Sequence, residues 1–176
     1  MIRRKQIRTM VEKLLTERGI REAPIPVADI AKSLGAIVCS QSAEDELSGF
    51  LYRDKKSASA IIGVNERHHP NRRNFTAAHE LGHYLLHDFD DVHVDRQSKI
   101  WLRDKASSQG LSLEEMEANL FAAELLMPEH LIKKDIEHQR ELSHSDEDMI
   151  RELAQEYEVS EHAMTIRLAY LGYMHH

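Results

Sequence analysis

The chain has 176 residues, 41% of them hydrophobic, and a formal net charge of −7. This length and apolar content suit a globular domain with a packed core and exclude a disordered chain. No apolar run approaches the roughly 18 residues of a membrane span, and the basic amino-terminal residues precede a polar stretch, so we expect a cytoplasmic protein. The single cysteine, Cys39, excludes an intramolecular disulfide and a zinc site of the CxxC type.

The first half of the chain predicts two helices and then a sheet. An amphipathic pattern over residues 3–18 predicts a helix that ends at Gly19, with its basic side chains on a solvated face. A shorter helix is expected over 27–34. Three β-like runs follow at 36–39, 47–52 and 59–64, and we expect them to form a small antiparallel sheet.

The second half is mainly helical in pattern. Helices are expected at 74–87, 112–127, 128–138, 146–157 and 161–171, with a possible edge strand within 90–95. On the first of these helices the apolar face contains Phe75, Ala78, Leu81 and Leu85. The predicted class is α+β, with the sheet packed on a helical core and a helix-turn-helix-like pair at the carboxyl end.

The sequence His-Glu-Leu-Gly-His at residues 79–83 is an HExxH motif. Residues four apart on a helix lie on one face, so His79 and His83 can reach the same metal ion. Glu80 lies close enough to hold a water molecule, which is the general-base arrangement of zinc peptidases. We therefore predict Zn²⁺ as the cofactor, His79 and His83 as ligands, and Glu80 as the catalytic base.

A catalytic zinc site needs a third protein ligand and one open position. His87 lies about 12 Å along an uninterrupted helix from His79, too far for all three rings to meet. The acidic helix after residue 112 is a better source, because Glu115 shares a face with two alanines that allow close helix packing. We predict Glu115 as the ligand, with Glu117 ranked second and Glu114 third.

Supporting roles are less determined by the sequence. Asn119 lies one turn after Glu115 and is predicted to hydrogen-bond a ligand histidine. By residue type, Tyr84, His93 or Arg103 could stabilise the oxyanion of a peptidase, and the sequence does not choose among them.

Two further segments accompany the HExxH helix. Residues 62–65 read Ile-Gly-Val-Asn, and residues 115–128 end in Phe-Ala-Ala-Glu-Leu-Leu-Met-Pro. With residues 73–83, they make the chain resemble the ImmA/IrrE family of metallo-endopeptidases over nearly its whole length. We expect residues 1–140 to form a zincin-like metallopeptidase domain, with 141–176 as a helical extension packed on it.

The resemblance implies a zinc-dependent endopeptidase with His79, His83 and the acid of the second helix as ligands. It also implies a protein substrate, a helix-turn-helix repressor of a mobile element or stress regulon.

The alternative is a regulator that binds a repressor or DNA through the carboxyl-terminal helices without cleavage. Residues 141–176 contain eight acids and two bases, so direct nucleic-acid binding there is not expected.

Overall fold

The computed structural model describes residues 1–54, 56, 59–88, 92–95, 112–141 and 145–174, with only the backbone described at 95 and 139–141. Within these ranges the chain forms helices α1 (Arg4–Glu17), α2 (Val27–Ser33), α3 (Pro70–Leu86), α4 (Leu113–Leu126), α5 (Glu129–Glu141), α6 (Asp146–Glu156) and α7 (Glu161–Tyr170). The strands are β1 (Ala36–Gln41), β2 (Gly49–Asp54), β3 (Ser59–Asn65) and β4 (Val92–Asp95). The predicted α+β class is confirmed. No helix in the described part of the chain is long and apolar enough to cross a bilayer.

The four strands form one sheet in the order β1-β3-β2-β4. β2 pairs antiparallel with β3 and with β4, whereas β1 pairs parallel with β3, with Ala36 opposite Ala60. The sheet is therefore mixed, although an antiparallel one was expected. The reason is that β2 lies on the far side of β3 from β1. Two reversals of chain direction then separate β1 from β3, and these neighbours run the same way.

Helix α3 occupies the centre of the molecule, between the sheet and α4. Every residue of α3 from Phe75 to His83 is buried. Ala78 and Leu81 of the predicted apolar face have no exposed surface, while Leu85 is only partly buried. Because the helix is covered on both sides, the two motif histidines face protein instead of bulk solvent.

Two glycines let neighbouring backbones approach α3 closely. A Cβ atom at Gly82 would lie 3.2 Å from both Cα and the carbonyl oxygen of Ala118 on α4. A Cβ atom at Gly49 of β2 would lie 2.5 Å from Cγ2 of Thr76. A larger residue at Gly49 would force Thr76 or the Gly63 carbonyl to move, and one at Gly82 would crowd the backbone of α4.

The ends of α3 and α4 place the polar residues between them. α3 begins at Pro70, one turn earlier than predicted, and proline is favoured in the first helical turn. It ends at Leu86, because His87 adopts an extended conformation with φ −125° and ψ 145°. α4 begins after Ser112, whose hydroxyl accepts a hydrogen bond from the Glu115 amide at 3.2 Å. Glu115 is consequently in the first turn of α4.

Helices α6 and α7 contact the same core through buried polar groups. Arg167 of α7 bonds both carboxylate oxygens of Glu124 on α4, at 3.1 and 2.6 Å, and the carbonyl oxygen of Met127 at 2.9 Å. The Tyr157 hydroxyl donates to the Asp135 carboxylate of α5 at 2.5 Å. Residues 143 and 144, within the run predicted as a domain boundary, lie outside the described residues.

Candidate metal centre

Helices α3 and α4 bring the three predicted ligands together. The Nε2 atoms of His79 and His83 lie 3.1 Å apart. The Glu115 carboxylate oxygens lie 3.4 Å from Nε2 of His79 and 3.2 Å from Nε2 of His83. The three side chains therefore present their donor atoms to one small volume between the two helices.

The spacing and chemistry of these donors fit a zinc ion. Ligand atoms bonded to a tetrahedral zinc at about 2.0–2.1 Å would be separated from one another by roughly 3.3 Å, close to the observed separations. Two imidazole nitrogens and one carboxylate are also a donor set found in catalytic zinc sites. The separations and the chemical types of these three donor groups thus agree with those of zinc ligands.

Burial and neighbouring charges favour the protonation states that bind metal. Burial, together with the adjacent His79 and His93 rings, lowers the pKa of His83 to about 4, despite its contact with Glu115. Burial tends to raise the pKa of Glu115, but its contacts with His79 and His83 outweigh burial and hold that pKa well below 4.5. At neutral pH the site therefore offers a neutral imidazole and an ionised carboxylate, the forms that act as ligands.

Glu80 follows His79 on α3 and is fully buried. Its Cγ atom lies beneath β2, since a Cβ atom at Gly49 would be 3.7 Å from it. The Glu80 side chain is therefore packed between α3 and the sheet.

His87 is not among the three grouped donors, but it contacts one of them. Its Nδ1 atom lies 3.2 Å from Nδ1 of His83, and its Nε2 atom lies 3.2 Å from Oε2 of Glu117. The extended backbone at His87 turns the ring back toward α3 and α4. Sequence reasoning considered His87 and Glu117 only as ligands and missed that they support His83. The repeated four-residue spacing from His79 to His83 to His87 was the available signal.

Glu117 also binds Arg3, immediately before α1. The Arg3 amide donates to Oε1 at 2.9 Å, its Nε donates to both carboxylate oxygens at 3.1 Å, and its Nη2 donates to Oε2 at 2.5 Å. These bonds hold the pKa of Glu117 at about 2, well below the ordinary 4.5. Arg3 has 45% of its side chain exposed, so it agrees with the expected solvated basic face and also pairs with a buried carboxylate. No local sequence pattern indicated this contact.

Of the two oxyanion candidates within the described residues, Tyr84 and His93, it is His93 that reaches the centre. Its Nε2 atom lies 3.5 Å from Oε1 of Glu115, and its ring centroid lies 4.1 Å from that of His83. The Tyr84 hydroxyl instead donates to the Leu34 carbonyl at 3.2 Å. Arg103 lies outside the described residues.

The predicted contact between Asn119 and a ligand histidine is not among the hydrogen bonds of the described residues. Asn119 is buried, and neither its Oδ1 atom nor Nδ1 of His79 has a hydrogen-bond partner there. On His83, the corresponding nitrogen is already occupied by His87. The hydrogen bond to the second nitrogen of His83 thus comes from His87 and not from Asn119.

The two arginines of the carboxyl-terminal helices both contact acidic side chains. Arg167 is buried against Glu124, and Arg151 pairs with Asp148 at 3.0 Å. Phosphate contacts require accessible cations; Arg167 is buried, whereas the Arg151 side chain is 60% exposed.

Comparison with known proteins supports the resemblance seen in the sequence. A family model described as the IrrE N-terminal-like domain of the M78 peptidases matches residues 31–169. The chain is 33% identical over 90 residues to "Metallopeptidase ImmA" of Bacillus subtilis, covering 51% of this chain and 47% of that protein. It is 28% identical over 106 residues to "Uncharacterized immunity region protein 2" of Bacillus phage phi105, covering 60% of this chain and 61% of that protein.

A solved structure titled "Mycobacterium tuberculosis transcriptional regulator" has the same fold. The TM-score is 0.62 at 19% identity, and the match covers 94% of this chain and 46% of that one. The matches thus span about half to three fifths of the length of these relatives.

Proposed function

Because the chain belongs to the IrrE N-terminal-like family of M78 peptidases, we propose that it is a zinc-dependent endopeptidase that cleaves a helix-turn-helix transcriptional repressor. The observation that supports this most is the convergence of His79, His83 and Glu115 on one volume, at separations that suit a tetrahedral ion. In this proposal those three side chains hold the metal.

A zinc ion bound there would supply Lewis acidity to a water molecule and to the scissile carbonyl. Glu80, the next residue after His79 on α3, acts as the general base: its carboxylate accepts the proton of the attacking water. The same carboxylate then delivers that proton to the departing amide nitrogen. The surrounding protein buries Glu80 completely, so bulk water does not compete for its carboxylate.

Among the described residues, His93 is the side chain best placed to stabilise the negative charge that develops on the reacting carbonyl oxygen. It approaches the centre from β4, on the side of Glu115, while His79 and His83 come from α3. A protonated Nε2 of His93 would donate a hydrogen bond to the developing negative charge, as oxyanion-stabilising groups do. Its ring rests on His83, which limits the orientations that it can adopt.

The substrate class follows from the relatives and from charge. One relative is named a metallopeptidase and another an immunity region protein, so a regulatory protein is a suitable substrate for this chain. The net charge of −7 complements the basic surface of a DNA-binding repressor. This complementarity would favour encounter with such a protein over other cellular proteins.

Glu80→Gln tests the peptidase proposal. The amide cannot accept the proton of water, so we expect cleavage of the repressor encoded beside this gene to fall by a factor of about 10² to 10⁴. Zinc content, measured by atomic emission, should be unchanged because the three ligands remain. Glu66→Gln, which removes an exposed carboxylate just before α3, is the matched control and should cleave normally.

Two results would count against the proposal. Cleavage by Glu80→Gln at the rate of the unaltered protein would contradict the assigned base. Full relief of repression by Glu80→Gln in a reporter strain, with the repressor intact, would favour the regulator that acts without cleavage.

A further inference from the structure

A continuous series of polar contacts runs from the amino-terminal end of α1 to the metal centre. Arg3 binds Glu117, Glu117 binds His87 at 3.2 Å, and His87 binds His83 at 3.2 Å between their Nδ1 atoms. The Arg3 guanidinium also donates to the carbonyl oxygen of Leu86 at 3.1 Å, at the end of α3. One side chain thus ties together the start of α1, the first turns of α4 and the last turn of α3.

With His87 in its neutral form, the donor and acceptor capacities of these groups give each hydrogen bond one direction. Arg3 can only donate, so the ionised Glu117 carboxylate can only accept, both from Arg3 and from Nε2–H of His87. A neutral His87 then has an unprotonated Nδ1, which accepts from Nδ1–H of His83. His83 is left with its lone pair on Nε2, the atom that faces His79 and Glu115.

We propose that Arg3 is a positioning residue of the metal centre, which acts through Glu117 and His87 to hold His83 in the tautomer and orientation that bind metal. This inference rests on the proposed function, since it takes His83 to be a metal ligand. Ligand histidines in metalloproteins are commonly held by a carboxylate on their second nitrogen. Here an imidazole lies between that carboxylate and the ligand, and an arginine immediately before α1 holds the carboxylate.

Burial explains why Glu117 depends on Arg3. The Glu117 side chain is only 2% exposed, and an ionised carboxylate in such a position requires compensating donors. Arg3 supplies donors from both its side chain and its main chain, whereas His87 supplies one. Without Arg3, the Glu117 carboxylate would keep only the hydrogen bond from His87, and the donors that fix its orientation would be lost.

Arg3 also lies outside residues 31–169, which the family model matches. The three grouped donors and Glu80 all lie within that range, as do Glu117 and His87. The segment just before α1 therefore supplies a supporting group that the matched region does not contain.

The test measures zinc affinity by competition with a chromophoric chelator, using the full chain. Arg3→Gln should weaken zinc binding about tenfold, within the range typical of groups that support a ligand histidine. Arg3→Lys keeps the positive charge but loses the planar guanidinium, so its zinc affinity should lie between those of Arg3→Gln and the unaltered protein. Lys5→Gln removes the same charge from an exposed position of α1 and should bind zinc like the unaltered protein.

Histidine tautomers in the metal-free protein provide a second readout that needs no activity. Long-range ¹H–¹⁵N correlation spectra of the unaltered protein should show His83 protonated on Nδ1 and unprotonated on Nε2. Arg3→Gln should show a mixture of both tautomers at His83. A purely structural role for Arg3 would lower the melting temperature and leave the tautomer unchanged, which would overturn the inference.

These outcomes separate the inference from the peptidase proposal. Equal zinc affinities for Arg3→Gln and Lys5→Gln, or a proton on Nε2 of His83 in the unaltered protein, would overturn the role of Arg3 alone. Weaker zinc binding by Arg3→Gln in a protein that cleaves no repressor would support the role of Arg3 and overturn the proposed function alone. Failure of the unaltered protein to bind zinc would overturn both.

Discussion

Helix α4 contains two buried glutamates, and each is held by an arginine from a different helical region. Glu124 pairs with Arg167 of α7, and both side chains are almost fully buried. Glu117 pairs with Arg3, whose side chain is 45% exposed, and Glu117 has a second partner in His87. Both pairs join an arginine to a buried glutamate, and they differ in the other groups that each pair contacts.

That difference indicates separate roles for the two pairs. Beyond the carboxylate, the Glu124 pair reaches the Met127 carbonyl in the core and Arg8 of α1 at 3.3 Å, so its contacts join α4 to α7 and α1. The Glu117 pair continues through His87 to His83 at the candidate metal centre. We infer that the Glu124 pair contributes to folding alone, whereas the Glu117 pair also influences the site. A buried ion pair is therefore not informative by itself until its remaining contacts are followed.

The largest expected effect is on stability at the Glu124 pair. Arg167→Met leaves a buried carboxylate with only the more distant Arg8, at 3.3 Å, and should lower the free energy of unfolding by about 3 kcal/mol. Denaturant titration of the metal-free protein would measure this loss. Zinc affinity of the folded protein should be unchanged.

A matched double variant isolates the cause. Arg167→Met combined with Glu124→Leu removes both charges, and replacing a buried ion pair by apolar residues is often neutral or stabilising. Recovery of most of the lost stability would support the pairing argument. A double variant as unstable as Arg167→Met would contradict it.

The next effect is on metal affinity at the Glu117 pair. Glu117→Gln keeps a hydrogen-bond acceptor for His87 but removes the negative charge. The amide NH₂ group can then donate to Nε2 of His87, which would reverse the direction of the hydrogen bond between His87 and His83. We expect zinc affinity to fall about tenfold, equivalent to roughly 1.4 kcal/mol. Glu124→Gln is the control, because it should reduce stability while leaving zinc affinity unchanged. Equal losses of zinc affinity in both variants would remove the distinction between the pairs.

The smallest effect is the pH dependence that Glu117 confers on stability. Its pKa in the folded protein is about 2, below the ordinary 4.5, so the folded state binds fewer protons than the unfolded state between these values. The stability that Glu117 contributes is therefore present above about pH 4.5 and is lost as the pH falls toward 2. Because Arg3 is partly exposed, solvent screening keeps this contribution small.

The measurement compares the metal-free protein with its Glu117→Gln variant in EDTA. The difference in their unfolding free energies should be larger at pH 6 than at pH 3. A difference that does not change with pH would show that the charge of Glu117 does not stabilise the fold.

Much of the fold was accessible from sequence because it depends on local patterns. The 3.6-residue period and the residues that end helices predicted α1, α3 and α4, and strand-like runs predicted β1, β2 and β3. The convergence of His79 and His83 followed from their spacing on one helix. Glu115 was chosen because it shares a helical face with two alanines, and the structure places it beside both rings.

The rest depends on contacts between distant parts of the chain. Arg3 and Glu117 are 114 positions apart, and no periodicity relates them. The parallel pairing of β1 with β3 depends on which side of β3 receives β2, and local propensity does not encode that choice. His87 was judged as part of a continuous helix, whereas its extended backbone allows the ring to reach both His83 and Glu117.

The contact of α3 with α4 at Gly82 has a consequence for metal selectivity. A methyl group at Gly82 would lie only 3.2 Å from backbone atoms of Ala118, so main-chain atoms, which adapt less than side chains, limit how closely the two helices can pack. The imidazole pair is on one helix and the carboxylate on the other, so the gap between the helices also sets the ionic radius that the donors accommodate. We expect discrimination between zinc and larger divalent ions such as calcium to depend on the smallness of residue 82, a residue that makes no bond to the ion.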